Sequence, residues 1–505
     1  MRNKKHSILI EVKSHIRRHI LAFRIYSTKK NLPLIGAILH FSHNAEHNME
    51  TLQEMSQECS ENGGILKFCL GPVIFLMMTD PLKIDVILKN HLEKDNVMKF
   101  IRSVIGNGSL FATVPIWRRR RKTMISTLSP KNVANHFETF LKLGKKVAED
   151  IAHVTVNKEP HSLWPYFNYF SFDVICETAI GTDAIKNLYN HKETFLNSIM
   201  VVKDYLSTRI LSFWLHPDWI YRFHKNYANG EYHKNTSFYF IEQAIEHNLR
   251  SKITEKQSDF SSKSDRLHRN EYKKVKETIF LNHLINYSRR KKEYNNIELR
   301  EELMAIFLAA TDTSSIALVF VLKLLAKYPA VQKKVYEELY STFKDQDMLP
   351  KNKDDILKLA YLDCVLKETL RLFPPAPFIV RKINKETVLP NGTILPENSS
   401  VVVSIWGLHR NKKYWGQDAN SFDPDRFLPE RFKNIPPGCY IPFSYGPRNC
   451  PGYAFAMMSI KTALCVILKT YRVLPDPEDG PIPHIRTKFD ITMTLVDDKV
   501  ALERR

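Results

Sequence analysis

Residues Leu303 to Leu325 form one long apolar stretch, broken at its centre by Thr311, Asp312, Thr313, Ser314 and Ser315. A stretch of that length either spans a bilayer or lies inside a protein large enough to enclose it. An aspartate at the centre of a span costs about 3 kcal/mol on insertion scales, so a buried helix is expected. The chain can supply the enclosing core, since 44% of its 505 residues are hydrophobic. That composition excludes disorder throughout. Length alone leaves open several domains or one large multi-layer enzyme domain.

The flanking sequence predicts a mainly α fold with a small β part. Ile65 to Leu70 and Val73 to Thr79, separated by Gly71 and Pro72, read as a hairpin or two short strands,. Beyond Thr79 the chain is mostly helical in pattern, Ser251 to Glu271 reads as an exposed polar loop, and strand-like runs return after the Pro-rich stretch Phe373 to Pro377,. In Asn31 to Gly36, Pro33 and Gly36 stiffen and then turn the chain as it enters a single globular body over 31–505,.

Residues 1–30 form a separate basic tail with nine Lys or Arg and one acid, Glu11. Lys13, Arg17, Arg18 and Arg24 interrupt any apolar run, so the tail is not a transmembrane anchor,. Leu9, Val12, Ile16, Ile20 and Phe23 recur at helical spacing, which suits an amphipathic helix on an anionic membrane,. A targeting segment and a solvated tail share these features. The formal charge of +20 is concentrated in this tail, in Arg118 to Lys122 and in Arg289 to Lys292. These read as a membrane-facing segment, a docking patch for an acidic protein and a surface loop. Nucleic-acid binding is not expected, because no recognised fold or interleaved aromatic platform accompanies the basic run.

Seven scattered cysteines, odd in number and with no CxxC pair, exclude a disulfide scaffold and a zinc ribbon,. One of them is singled out by its neighbours. Phe443, Gly446, Arg448, Cys450 and Gly452 have the spacing FxxGxRxCxG, and an apolar helical stretch, Ala454 to Leu468, comes directly after. A sulfur there sits at a helix N-terminus near Arg448, which favours the thiolate. Gly446 and Gly452 let the backbone approach a flat ligand, Phe443 shields the sulfur and Arg448 can pair with a carboxylate. These are the requirements of a haem-thiolate site.

With these motifs the chain resembles the cytochrome P450 family from Pro33 to the C-terminus. The runs Asp173 to Gly181, Leu408 to Asn411 and Phe422 to Leu428 are similar to the branch of fatty-acid ω-hydroxylases and their insect relatives. The resemblance implies the P450 fold, a large helical domain around haem b with a minor sheet domain, and Cys450 as axial ligand to the iron. It implies that Trp117, Arg121 and Arg381 bind the haem propionates, with Arg118, Arg119 and Lys122 facing an acidic reductase. Glu368, Arg371 and Arg426 are implied to lock the cysteine loop. Asp312 and Thr313 look like the acid and alcohol pair that relays protons to dioxygen. His409 is expected to be a hydrogen-bonded structural residue. Phe111, Phe307, Ala310 and Ala376 to Ile379 match positions that line the substrate pocket.

The chain departs from the family at Ala310, usually Gly, and at Tyr445 and Pro451 in the cysteine loop. Ala309 stands where many ω-hydroxylases carry the Glu that esterifies the haem, so the haem is expected to be non-covalent. The implied activity is insertion of one oxygen atom of dioxygen into a lipophilic substrate: a fatty acid, hydrocarbon, terpenoid hormone or xenobiotic. NADPH supplies the electrons through a reductase. The implied location is the cytosolic face of the endoplasmic reticulum, with a mitochondrial location as alternative. A haem-thiolate isomerase or dehydratase and a non-catalytic haem sensor are the competing readings, and retention of Asp312 and Thr313 counts against the first.

Overall fold

The computed structural model describes residues 17, 20–32, 35–41, 44–71, 73–188, 191–258, 279–291, 294–343, 349–476 and 485–505. Pro33, Pro72 and Lys292 lie outside them, as does nearly all of the tail before Ile20.

Helix α1 (Ala45–Glu61) starts at Asn44, whose side-chain oxygen accepts from the Glu46 and His47 amides,. It leads into an antiparallel pair, β1 (Ile65–Leu70) and β2 (Val73–Met78), with Ile65 opposite Met78 and Leu70 opposite Val73. Two later strands, β3 (Phe378–Lys382) and β4 (Ser400–Ser404), complete a sheet of order β1-β2-β4-β3, in which β2 and β4 run parallel. Strand β4 is buried at every position, which explains its unalternated SVVVS sequence,. Tyr26 and Thr28 hydrogen-bond to Lys67 at the free edge of β1, and Ala22 and Ile25 are buried against the same layer.

The larger part is helical: α2 (Pro81–Asn90), α3 (Met98–Ile105), α4 (Val114–Thr127), α5 (Phe137–Asp150), α6 (Trp164–Ile175), α7 (Lys192–Leu211), α8 (Tyr227–Ser258), α9 (Asn296–Lys327), α10 (Ala360–Leu372) and α11 (Tyr453–Thr470). The apolar stretch Leu303 to Leu325 lies within α9. A capping box starts this helix: Asn295 Oδ1 accepts from the Glu298 amide while the Glu298 carboxylate accepts from the Asn295 amide,. Every residue from Ser314 to Ala326 is buried. Among the described residues, α9 and α11 are long and apolar enough to cross a membrane, and both are mostly buried inside the protein. Helix α9 packs against α6 and α11, and α11 against α5.

Two surface expectations change. Residues 251–258 continue α8 as helix, and the rest of the expected loop to Glu271 lies outside the described residues. Arg289 to Lys291 end a helix, Phe280–Lys291, instead of forming a loop. In both places the polar composition was read as irregular backbone, although a polar sequence with good helix formers is equally able to form an exposed helix.

Candidate active site

The cysteine loop is closed by its own backbone. The Cys450 amide donates to the Phe443 carbonyl at 2.8 Å, the Asn449 amide to Gly446 at 3.1 Å and the Ser444 amide to Ile441 at 2.9 Å. Gly446 has φ +76°, and a Cβ there would meet the Leu88 carbonyl oxygen at 2.6 Å, so only glycine fits,. Gly452 caps α11, and the Phe443 ring stands edge-on to Tyr453 at 4.9 Å.

Cys450 is crowded by surrounding protein yet keeps open surface, which marks a cleft beside the sulfur. Burial pushes the thiol up, against the Gly452 amide and the charge of Arg121,. Burial thus opposes the thiolate that the Gly452 amide and Arg121 favour, and a coordinated metal would ionise the sulfur,. The cation beside the sulfur is also Arg121, not Arg448. Arg448 instead donates to the Leu92 and Ala112 carbonyls at 2.8 and 2.6 Å and lies over the Trp117 ring at 4.9 Å.

Around the cleft are cations short of anions. Arg121 donates to the Asn449 side-chain oxygen, and its Nε has no partner among the described residues. Arg381 is buried and, among the described residues, makes one side-chain hydrogen bond, Nη1 to the Val380 carbonyl, and leaves Nε unpaired. Burial and then the neighbouring Arg448 push Arg381 down to about 10. Burial likewise pushes Arg448 down to about 10, opposed by Glu93 and reinforced by Arg121 and Arg102. Buried cations require anions. A flat cofactor with two carboxylates, bound through the Cys450 sulfur, meets that requirement, so the residues fit haem.

The middle of α9 is less completely buried than its C-terminal half. Ile306, Ala309, Ala310 and Thr313, at i, i+3, i+4 and i+7, keep partial exposure,. Phe307 does not belong to this face: it is fully buried, 5.2 Å from the Phe195 ring and 5.6 Å from Phe172. Its neighbour Ile306, four residues before Ala310, keeps partial exposure instead, and that spacing could have singled it out,. Ala376, Phe378 and Ile379 are half-buried, and Phe111 is buried.

The family model described as "Cytochrome P450" matches residues 27–501. The chain belongs to the cytochrome P450 family. It is 29% identical over 477 residues to cytochrome P450 4V2 of Homo sapiens, covering 92% of this chain and 87% of that protein. To probable cytochrome P450 313a1 of Drosophila melanogaster it is 28% identical over 481 residues, covering 94% and 92%. To cytochrome P450 4c3 of the same organism it is 26% identical over 448 residues, covering 88% and 82%. The protein is thus a haem-thiolate oxidoreductase of the monooxygenase class, and its cofactor is non-covalent haem b.

Within this P450, Glu368 and Arg371 are completely buried and joined by a two-pronged pair of 2.6 and 2.7 Å,. Arg371 also donates to the His409, Ala419 and Ser421 carbonyls, and the Asp423 amide to Glu368. Arg426 is held more loosely to Glu368, 3.5 Å from Nε, and donates to the Trp415 and Asp418 carbonyls. His409 carries the network to the cysteine loop. Its Nδ1–H donates to the Arg371 carbonyl at 3.0 Å, and its Nε2 accepts from the Ile441 amide at 2.9 Å, an assignment fixed by a carbonyl on one side and an amide on the other,. Burial, then the charge of Arg371, pushes His409 down to about 3.

The basic run on α4 is divided. Arg118 and Lys122 are exposed, and Arg119 pairs with Glu298. Arg120, about which the sequence was silent, points inward to Glu302 at 2.9 Å, Glu298 at 3.0 Å and Glu301 at 3.3 Å, all on α9. Glu302 also accepts from the Ser109 amide and hydroxyl. The run expected to serve as a docking patch therefore carries less net charge than its five cations suggest.

Asp312 and Thr313 are both engaged. Thr313 Oγ1 donates to the Ala309 carbonyl of its own helix at 2.7 Å,. Asp312 Oδ2 accepts from Lys203 Nζ on α7 at 2.7 Å and from Thr492 Oγ1 at 2.6 Å.

Proposed function

We propose that this P450 hydroxylates a lipophilic substrate of the fatty acid, hydrocarbon, terpenoid hormone or xenobiotic class, with NADPH electrons delivered singly by a reductase at a membrane surface of the endoplasmic reticulum. The observation that carries the reading is the open surface that Cys450 keeps at the start of a helix packed on α9, whose half-buried positions include Ile306, Ala309 and Ala310. When bound, the haem supplies activation of dioxygen and insertion into a C–H bond.

The chain's residues do the rest. Trp117, Arg121, Arg381 and Arg448 hold the propionates, while Phe443, Gly446 and Gly452 shape and shield the sulfur side. Ile306, Ala309 and Ala310 present a smooth apolar wall that excludes water and admits an alkyl chain. Thr313 Oγ1 and the Asp312 carboxylate hold and pass protons, which requires Thr313 to turn from the Ala309 carbonyl and Asp312 to exchange Lys203 or Thr492 for water. Glu368, Arg371 and Arg426 lock the segment leading to the cysteine loop. Arg118, Arg119 and Lys122 offer a surface for an acidic reductase. Exposed Ile20, Phe23, Leu39, Trp219 and Phe223 support a membrane-facing side,.

The reduced, carbon-monoxide-bound absorption spectrum tests the centre of this reading. The red-shifted thiolate band appears in the native protein and is lost in Cys450→Ala; its absence from the native protein overturns the reading. For the relay, Thr313→Ala keeps haem and diverts electrons to peroxide, and an unchanged product yield per NADPH refutes that role.

A further inference from the structure

Between α3 and α4 the chain runs from Gly106 to Thr113 and lies directly on the early turns of α9. Gly106 has φ +80°, and a Cβ there would meet the Glu301 side chain at 2.5 Å. A Cβ on Gly108 would meet the Glu301 carbonyl oxygen at 2.4 Å and the Ala305 Cβ at 2.6 Å, so only glycine permits the approach,. The far end of the segment reaches the cysteine loop, where Arg448 donates to the Ala112 carbonyl at 2.6 Å. The segment thus bridges α9, beside half-buried Ile306, and the loop that carries Cys450, with Phe111 within it.

Two buried side chains grip this segment. Glu302 is fully enclosed, and its Oε1 accepts from the Ser109 amide at 3.0 Å, the Ser109 hydroxyl at 2.8 Å and Arg120 Nη1 at 2.9 Å. Arg120 Nη1 also donates to the Asn107 carbonyl at 2.6 Å, while Nη2 is tied to Glu298 at 3.0 Å and Glu301 at 3.3 Å. Holding the chain at residues 107 and 109 fixes both its position and its direction. The Phe111 and Ala112 amides donate to the Gly108 carbonyl at 2.9 and 3.0 Å, so the turn that carries Phe111 is built directly on the held residues. A buried ion pair adds little net stability over apolar residues of the same volume. Its directional bonds, by contrast, select one backbone placement. Glu302 also lies on the same side of α9 as Ile306, Ala309 and Thr313, at i, i+4, i+7 and i+11,.

We propose that Arg120 and Glu302 are positioning residues for the reaction: by gripping residues 107 and 109 they set where Phe111 stands beside the cleft, and so which bulky ligands the cleft accepts. The proposal rests on the haem-thiolate reading of Cys450, and the two can fail separately.

The test uses the full-length holoprotein with Glu302→Leu, Glu302→Gln and Ser109→Ala. Glu302→Leu leaves Arg120 paired with Glu298 and Glu301, so no buried charge is stranded. Glutamine keeps an oxygen acceptor for Ser109 and Arg120. Amide hydrogen exchange over residues 106–112 should be about tenfold faster or more in Glu302→Leu, native in Glu302→Gln and intermediate in Ser109→Ala. Binding of imidazole and of phenylimidazole is then read from the shift of the haem absorption in protein that gives the red-shifted carbon-monoxide band. Phenylimidazole, which has to order the loosened segment, should bind about threefold weaker or more in Glu302→Leu, with imidazole unaltered and the native preference kept in Glu302→Gln. A merely structural role would lower the yield of holoprotein and leave this preference unmoved. If the native protein lacks the carbon-monoxide band, it is the haem reading that fails, and exchange still decides whether Glu302 holds the segment. Unchanged exchange in Glu302→Leu, faster exchange with an unchanged ligand preference, or a Glu302→Gln variant that behaves as Glu302→Leu overturns the proposal.

Discussion

Replacing Arg120 by methionine separates a buried charge from the exposed charges beside it. Arg120 is 2% exposed and Glu302 fully enclosed, and the pair at 2.9 Å joins α4 to the start of α9. Methionine fills most of the space of the arginine stem but, among the described residues, leaves Glu302 with only Ser109 as donor. Breaking one side of a buried pair costs about 3–5 kcal/mol, because the remaining charge is uncompensated. Arg119→Met removes an exposed partner of Glu298 and should cost under about 1 kcal/mol,. The assay is the urea midpoint of the holoprotein at constant slope. Arg120→Met combined with Glu302→Gln should cost less than the sum of the single changes, since the stranded carboxylate is gone. The pH dependence has a defined sign. Burial already raises Glu302 above its ordinary 4.5, against the pull of Arg120. Removing Arg120 raises it further, so the folded variant holds a proton that the unfolded chain releases. Its penalty should therefore grow as pH rises above 4.5, through the folded-state value. A loss in Arg120→Met no larger than in Arg119→Met, or an additive double variant, would refute this account of the basic run.

Other substitutions probe the rest of the site. Gly446→Ala places a Cβ 2.6 Å from the Leu88 carbonyl at φ +76° and should abolish the thiolate band, read in the carbon-monoxide spectrum. His409 is neutral in the fold and pushed to about 3, whereas an unfolded histidine titrates near 6.5,. The unfolded chain therefore binds more protons between those values, and stability should fall as pH drops below 6.5, by up to about 1.4 kcal/mol per unit from this group. His409→Gln should flatten that acid limb in urea midpoints taken from pH 7 to 4. Lys203→Met releases Asp312 from its cation, leaving Thr492 as its donor; product formed per NADPH should change while the carbon-monoxide spectrum does not. Reversing the charge of Arg118 and Lys122 together should slow reduction by the reductase most at low salt, and equal rates at low and high ionic strength would count against docking there.

The sequence by itself determined the long apolar core helix, the first strand pair and the identity of the ligand loop. Leu303 to Leu325 could only be a span or a core helix, and the aspartate at its centre chose between them. The FxxGxRxCxG spacing placed Cys450 before a helix because glycines at those positions answer local steric demands, visible in the φ of Gly446. Such properties depend on residues close along the chain. Partnership across the chain did not show. Arg118 to Lys122 reads as five equal cations until α9 brings three glutamates to one of them. Phe307 and Ile306 are neighbours in sequence, and only the packing of α9 against α6 turns one into the core and leaves the other open. The physical reason is that a charge takes its meaning from the dielectric around it and the partner it meets. Both are fixed by segments that lie up to hundreds of residues away and come together only in the tertiary structure.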